Sequence, residues 1–246
     1  MTETAATGPV ALVTGSSSGI GEAVARRLAA AGYRVVVNSA RSVAAGQAVA
    51  AELPGAVYLQ GDVADPQQAR ELVERTVEQL GRLDLLVNNA GTTRIIPHGD
   101  LAAADGEVWR EILDVNVIGT WQVTTAAVPH LEATGQGAIV NISSIAGCRP
   151  AGSSVPYAVS KAAINHMTRL LAASLGPAVR VNAVAPGLID TPWTADFTEP
   201  RKWVSTQAPL QRVGTTEDVA EAVLALARAA YTTGEVLLVD GGTHLR

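Results

Sequence analysis

Val10-Ala11-Leu12-Val13-Thr14-Gly15-Ser16-Ser17-Ser18-Gly19-Ile20-Gly21 is a short apolar run that passes into a glycine-spaced turn, and Glu22 to Ala31 then carries a helical pattern. Strand, glycine turn and helix in that order open a βαβ unit. Glycine at 15, 19 and 21 lets the backbone turn tightly, lets a phosphate approach, and lets the helix pack on the strand, while the helix N-terminus attracts the anion. The candidate phosphate contacts are therefore Gly15, Ser17, Ser18, Gly19, Ile20 and Gly21. The spacing T-G-x-x-x-G-x-G differs from G-x-G-x-x-G, so a flexible Gly/Ser turn is the alternative reading of this stretch.

Outward from that turn the same pattern repeats. Arg34-Val35-Val36-Val37-Asn38 has the composition of a buried second strand, and an Ala-rich helix follows to Leu53. The end of such a strand faces an adenosine ribose, where a carboxylate would bind the 2′-hydroxyl of NAD. From Arg34 to Ala51 there is no Asp or Glu. Asn38, Ser39 and Arg41 instead suit a 2′-phosphate, which favours NADP over NAD; Arg41 at a solvated helix start is the plainer alternative. Val57 to Gly61 is a third strand, with Asp62 and Val63 at its exit placed either to contact adenine or simply to turn the chain. Pro66 to Leu80 is the next helix, its Leu72, Val73, Val77 and Leu80 covering one face.

Leu83 to Asn88 is a fourth strand whose tip, Asn89-Ala90-Gly91, is small enough for a ring to lie against backbone. A helix from about Asp105 to Leu131 follows, interrupted on its apolar face by Asn116. A buried mid-helix amide either bends the helix around a water or fills a structural network. Gly137 to Ser144 and Val179 to Ala185 are strands five and six. After the sixth, Pro186, Gly187, Ile189 and Thr191 offer backbone and hydroxyl groups to a carboxamide. Residues 188–211 lack a sheet pattern and hold Trp193, Phe197 and Trp203 among three prolines, which reads as a lid over an apolar pocket, or else as a packed surface helix pair or an oligomer contact. A helix from Thr216 to Ala230 and a seventh strand within Gly234 to Gly242 close the chain. The alternation implies an α/β fold of one domain over 1–246, a doubly wound Rossmann fold with a parallel seven-stranded sheet and helices on both faces.

Composition agrees with one soluble core: 246 residues, 48% hydrophobic, 17% charged, net charge −5. No dense Lys/Arg cluster points to nucleic acid or an anionic membrane. One cysteine, Cys148, and an N-terminus without a signal-peptide pattern suggest the cytoplasm. The four scattered histidines give no metal site.

Between strand five and its helix, Ser144 is followed by Pro156-Tyr157-Ala158-Val159-Ser160-Lys161. Pro156 suits a first helical turn, so Tyr157 and Lys161 fall four apart on one face. An ammonium beside a phenol favours the phenolate and draws a tyrosine pKa down from about 10, which makes Tyr157 a candidate acid/base.

Thr14-Gly15-x-x-x-Gly19-x-Gly21, Asp62, Asn88-Asn89-Ala90-Gly91, Asn116, Ser144, Tyr157-x-x-x-Lys161 and Pro186-Gly187, in this order, resemble the short-chain dehydrogenases/reductases over essentially the whole chain. That resemblance implies that Tyr157 exchanges a proton with the substrate oxygen, which Ser144 holds. It implies that Lys161 binds the nicotinamide ribose and lowers the Tyr157 pKa, and that Asn116 holds a water on a proton path to Lys161. The implied reaction is hydride transfer between NADP(H) and a ketone or secondary alcohol, in a homotetramer. Within the family the chain is most similar to bacterial 3-oxoacyl-acyl-carrier-protein reductases and related carbonyl reductases. Carrier proteins are acidic and call for a basic dock, yet Gln122 to Ala138 has no Lys or Arg and Asn165 to Asn182 only Arg169 and Arg180. A free small ketone or alcohol thus competes with an acyl thioester, and a catalytically silent cofactor-binding or regulatory protein is the reading from another class.

Overall fold

The computed structural model describes residues 8–246. Seven strands form one parallel sheet: β1 (Val10–Val13), β2 (Arg34–Ser39), β3 (Val57–Gln60), β4 (Leu85–Asn88), β5 (Gly137–Ile142), β6 (Val179–Pro186) and β7 (Val236–Val239). Their spatial order, β3-β2-β1-β4-β5-β6-β7, reverses direction between β1 and β4. The α/β fold expected from the sequence is the one observed.

Side-chain alternation along β1 explains why helices cover both faces. Ala11 and Val13 point to one side, against α1 (Gly19–Ala30), α2 (Val43–Glu52) and α8 (Thr216–Arg228). Val10 and Leu12 point to the other, against α3 (Pro66–Leu80), α5 (Thr120–Glu132) and α6 (Val155–Leu175). All four β1 side chains are fully buried, as a strand sandwiched between two helical layers requires. Local chemistry sets the helix ends. The Asp65 carboxylate accepts from the N–H groups of Gln67 and Gln68, Pro66 occupies the first turn, and Gly81 ends α3 at a φ of 79°. Thr215 and Asp218 form a reciprocal capping box on α8.

Several boundaries differ from the sequence reading. Strand β4 begins at Leu85 rather than Leu83, because the Asp84 carboxylate is drawn aside to accept from the Val10 N–H at 2.8 Å and to pair with Arg82. Strand β5 ends at Ile142, since Ser144 turns away to cap the short 3₁₀ helix Ile145–Gly147. The single helix expected from Asp105 to Leu131 is α4 (Gly106–Leu113), a π-helical turn Asp114–Gly119, and α5. One wide turn holds Asn116. Such π turns are rare and concentrate at functional sites.

Residues 188–211 leave the sheet after β6 and return at Gly214, which bonds Leu188 and Asp190 through backbone. Within this excursion lie a 3₁₀ turn, Pro192–Thr194, and α7 (Thr198–Gln207). No helix among the described residues is long and apolar enough to cross a membrane. Among those residues, no three His, Cys, Asp or Glu groups gather as a metal site.

Candidate active site

The carboxyl ends of β1 and β4 meet where the sheet order reverses, and their two loops are welded together. The Thr14 hydroxyl accepts from the N–H groups of Asn89 and Ala90 at 3.0 and 3.1 Å. In return the Asn89 amide donates to the carbonyls of Thr14 and Gly15, both at 2.9 Å. Close approach explains the glycines. A Cβ on Gly15, whose φ is 62°, would stand 2.9 Å from the Ala90 Cα, and one on Gly21 would stand 2.4 Å from the Gly15 carbonyl oxygen.

The result is a narrow cleft of about 220 Å³, bordered by Gly19 to Gly21, Ala90, Gly91, Lys161, Gly187 and Thr191. Its floor is the N-terminus of α1. Asp65 and Thr215 cap their own helices, whereas Ser18, at the N-cap of α1, makes no side-chain cap bond. The first-turn N–H groups therefore face the cleft free to bind an anion, and the residues fit a dinucleotide pyrophosphate. Thr191 closes the other side, its methyl 3.7 Å from where a Gly19 Cβ would be.

At the inner end of the cleft stand Ser144, Tyr157 and Lys161. The Ser154 hydroxyl caps α6 by accepting from the Tyr157 N–H, which fixes the helical register that sets Tyr157 and Lys161 on one face. Lys161 is only 5% exposed. Its Nζ donates to the Ile142 carbonyl at 2.9 Å and lies 5.7 Å from the centre of the Tyr157 ring. Burial holds this amine down, at about 8. Here the expectation for Tyr157 is corrected. Burial pushes the phenol above its ordinary value, with the Ser144 hydroxyl drawing it partly back. The Lys161 amine stands 5.7 Å from the ring centre and takes no part in the shift, whose direction desolvation of the phenol sets.

Asn116 is 1% exposed and fully employed. Its Oδ1 accepts from the Thr92 N–H at 2.7 Å, while Nδ2 donates to the Thr92 carbonyl at 3.0 Å and to Ser160 Oγ at 2.9 Å. Ser160 in turn donates to the Tyr157 carbonyl at 2.7 Å. This network joins the loop after β4 to α6 beside Lys161. Sequence reasoning missed Ser160, although a hydroxyl inside the buried face of a helix was a usable signal. Ser160→Ala strands one buried amide N–H and is expected to cost about 1–3 kcal/mol, seen as a lowered urea midpoint. An unchanged midpoint would show that the bond contributes nothing.

At the adenosine end the expected trio separates. Asn38 is turned inward, its Oδ1 accepting from Gly15 N–H at 3.2 Å and its Nδ2 donating to the carbonyls of Leu59 and Gly61. Ser39 is paired with the Tyr58 hydroxyl at 2.9 Å. The Asn38 and Ser39 side chains thus hold strands together, because both lie within β2 rather than beyond its end. Arg41 alone is exposed. Asp62 closes a turn on the Ala64 N–H at 3.0 Å, and Val63 is packed beneath Gly119.

A second, larger cavity of about 830 Å³ opens on the far side of Tyr157. It shares Ser144, Tyr157, Gly187, Trp193 and Thr194 with the first. Its walls come from the loop after β4, the loop before α6 and residues 188–204. The Trp193 ring lies 6.4 Å from the Tyr157 ring, inclined at 55°, so the excursion after β6 reaches the phenol itself.

Residues 15–244 match the family model described as enoyl-(acyl carrier protein) reductase. The chain is 67% identical over 240 residues to the protein named ketoacyl reductase 2 of the granaticin polyketide synthase of Streptomyces violaceoruber, covering 96% of both. It is 40% identical over 243 residues to a 3-oxoacyl-acyl-carrier-protein reductase of Thermotoga maritima, covering 96% of this chain and 97% of that one. Among solved structures, a short-chain dehydrogenase/reductase of Burkholderia xenovorans superposes with a TM-score of 0.91 at 35% identity, covering 98% of this chain and 99% of that one. A sheet reversed at a glycine-lined cleft, with Ser144, Tyr157 and Lys161 at its inner end, thus comes with relatives that match along almost its whole length: the chain belongs to the short-chain dehydrogenase/reductase family of oxidoreductases.

Proposed function

We propose that the protein is an NADP(H)-dependent ketone reductase, with Tyr157 as the general acid that completes the alcohol and Ser144 as the second donor to the carbonyl oxygen. The observation that carries this reading is the meeting of the two cavities at Tyr157 and Ser144. One is narrow and ends on an uncapped helix N-terminus, suited to a dinucleotide; the other is wide and apolar, suited to a substrate. When bound, the nicotinamide supplies the hydride to the carbonyl carbon and is left oxidised. Charge developing on the carbonyl oxygen is met by the hydroxyls of Tyr157 and Ser144, and a phenol kept protonated by burial is in the right state to donate. Lys161 is placed to hold the nicotinamide ribose, and Asn116 with Ser160 fixes the wall against which Lys161 rests. Residues 188–211 act as the substrate lid, bringing Trp193 to Tyr157. Exposed Trp121, Leu170, Ile118 and Val159 on the outer helices support self-association, with a homotetramer as the expected state.

The test is consumption of NADPH, followed by its absorbance, across a panel of ketones and acyl thioesters; no turnover with any of them, despite cofactor binding, would overturn the reading in favour of a silent binding protein. Cofactor choice rests on Arg41, the exposed cation at the end of β2, and on the absence of any acidic residue from Arg34 to Ala51. Arg41→Ala is expected to raise KM for NADPH about tenfold, the loss of roughly 1.4 kcal/mol, with KM for NADH unchanged. A native preference for NADH would reject the assignment.

A further inference from the structure

Resting on the reductase reading, we infer that the substrate is a free, uncharged ketone built on fused or aromatic rings, rather than a linear acyl chain delivered on a carrier protein. The large cavity has the volume of a small-molecule site, and Ile95, Ile96 and Pro97 line it together with α7 and the turn before it.

Its aromatic content is out of proportion to the chain. The sequence has four tryptophans and a single phenylalanine. Two of those tryptophans, Trp193 and Trp203, and that phenylalanine, Phe197, line this one cavity together with Tyr157. Trp193 and Trp203 keep 47% and 43% of their surface exposed while lining this cavity. Indole faces left open in this way are suited to stack on a flat, apolar ring, a contact worth more than its area alone. An extended acyl chain offers no face to them.

Charge points the same way. No lysine or arginine lines the cavity, and its only carboxylates, Asp196 and Glu199, are both exposed where α7 begins. Of the cations adjoining its walls in sequence, Arg201 pairs with Asp190 at 2.6 Å and donates to the Thr194 carbonyl, Arg149 donates to the Thr243 carbonyl at 3.0 Å, and Lys202 is exposed on α7 without lining the cavity. A carrier protein brings an acidic surface and a phosphodiester on its prosthetic arm to the mouth of the site. Asp196 and Glu199, which line the cavity itself, would repel both. A neutral ring ketone meets no such penalty.

The experiment compares 2-tetralone, a free bicyclic ketone, with acetoacetyl thioester on an acyl carrier protein, using the full chain and NADPH. The expected kcat/KM for 2-tetralone is at least tenfold higher, and Trp203→Ala is expected to raise its KM about tenfold. Reversing the rim with Asp196→Lys and Glu199→Lys is expected to shift the ratio toward the carrier-borne thioester. A preference for 2-tetralone below tenfold, or a preference for the carrier, overturns the inference while leaving the reductase reading standing. Calorimetric binding of 2-tetralone to the NADP⁺-loaded protein separates the two failures: binding that Trp203→Ala weakens, without turnover of either ketone, upholds the ring-binding cavity and rejects the reductase. Absence of that binding rejects the cavity assignment.

Discussion

Tyr157→Phe is expected to lower kcat by about 10³-fold while the affinity for NADPH stays within twofold of the parent. The substitution removes one oxygen and keeps the ring, so the 6.4 Å packing against Trp193 and the wall shared by the two cavities persist. What disappears is the proton for the nascent alkoxide. Ser144 cannot replace it, because an aliphatic alcohol can donate a hydrogen bond but is a far weaker acid than a phenol. Steady-state turnover with 2-tetralone or any ketone found by the panel, together with fluorescence titration of NADPH, checks both halves. Turnover within tenfold of the parent would remove Tyr157 from the role.

Lys161→Met is expected to lower kcat by about 10²-fold or more and, in the same protein, to remove a pH dependence of stability. The native amine is moved from 10.5 to about 8 by burial. A lysine whose folded pKa is depressed disfavours its own charged form on folding. The penalty is fully present below about pH 8 and is relieved as pH rises from about 8 toward 10.5. It amounts to an order of 3 kcal/mol, offset in part by the bond from Nζ to the Ile142 carbonyl. Methionine fills the same channel with an uncharged stem. Urea midpoints of the two proteins are therefore expected to converge or cross as pH rises from about 8 to 10.5, the native chain gaining relative to the variant. Parallel profiles over that window would mean that Lys161 is not held in a desolvated state. The opposite responses of activity and stability are expected of a charge kept buried for chemistry.

Much of the candidate site was legible because its elements are local. Pro156, Tyr157 and Lys161 lie on one helix, and helical spacing alone puts the phenol and the amine on one face. Gly15, Gly19 and Gly21 stand between a strand and a helix whose patterns are both plain in the sequence. Asn38 and Ser39 were harder. They sit where the chain leaves one strand, and one residue of strand length decides whether a side chain faces the ribose or the interior; Ser39 belongs to β2 and both side chains are buried. The π turn at Asn116 was equally hidden, since the i+5 bonding that widens it has no residue signature of its own.

The amino-acid sequence by itself determined the order of strands and helices, the two-sided burial of β1, the glycine loop at the point where the sheet reverses, and the pairing of Tyr157 with Lys161. These follow from periodicity and from contacts within a few residues. Only the tertiary structure decided that Lys161 spends its ammonium on the Ile142 carbonyl, that Asn116 is tied to Thr92 and Ser160, and that Trp193 reaches Tyr157 from beyond β6. It also decided that Asp196 and Glu199, rather than any lysine or arginine, stand at the large cavity. Each of these depends on groups far apart in the chain, and which of them become neighbours is settled by how the helical layers close over the sheet.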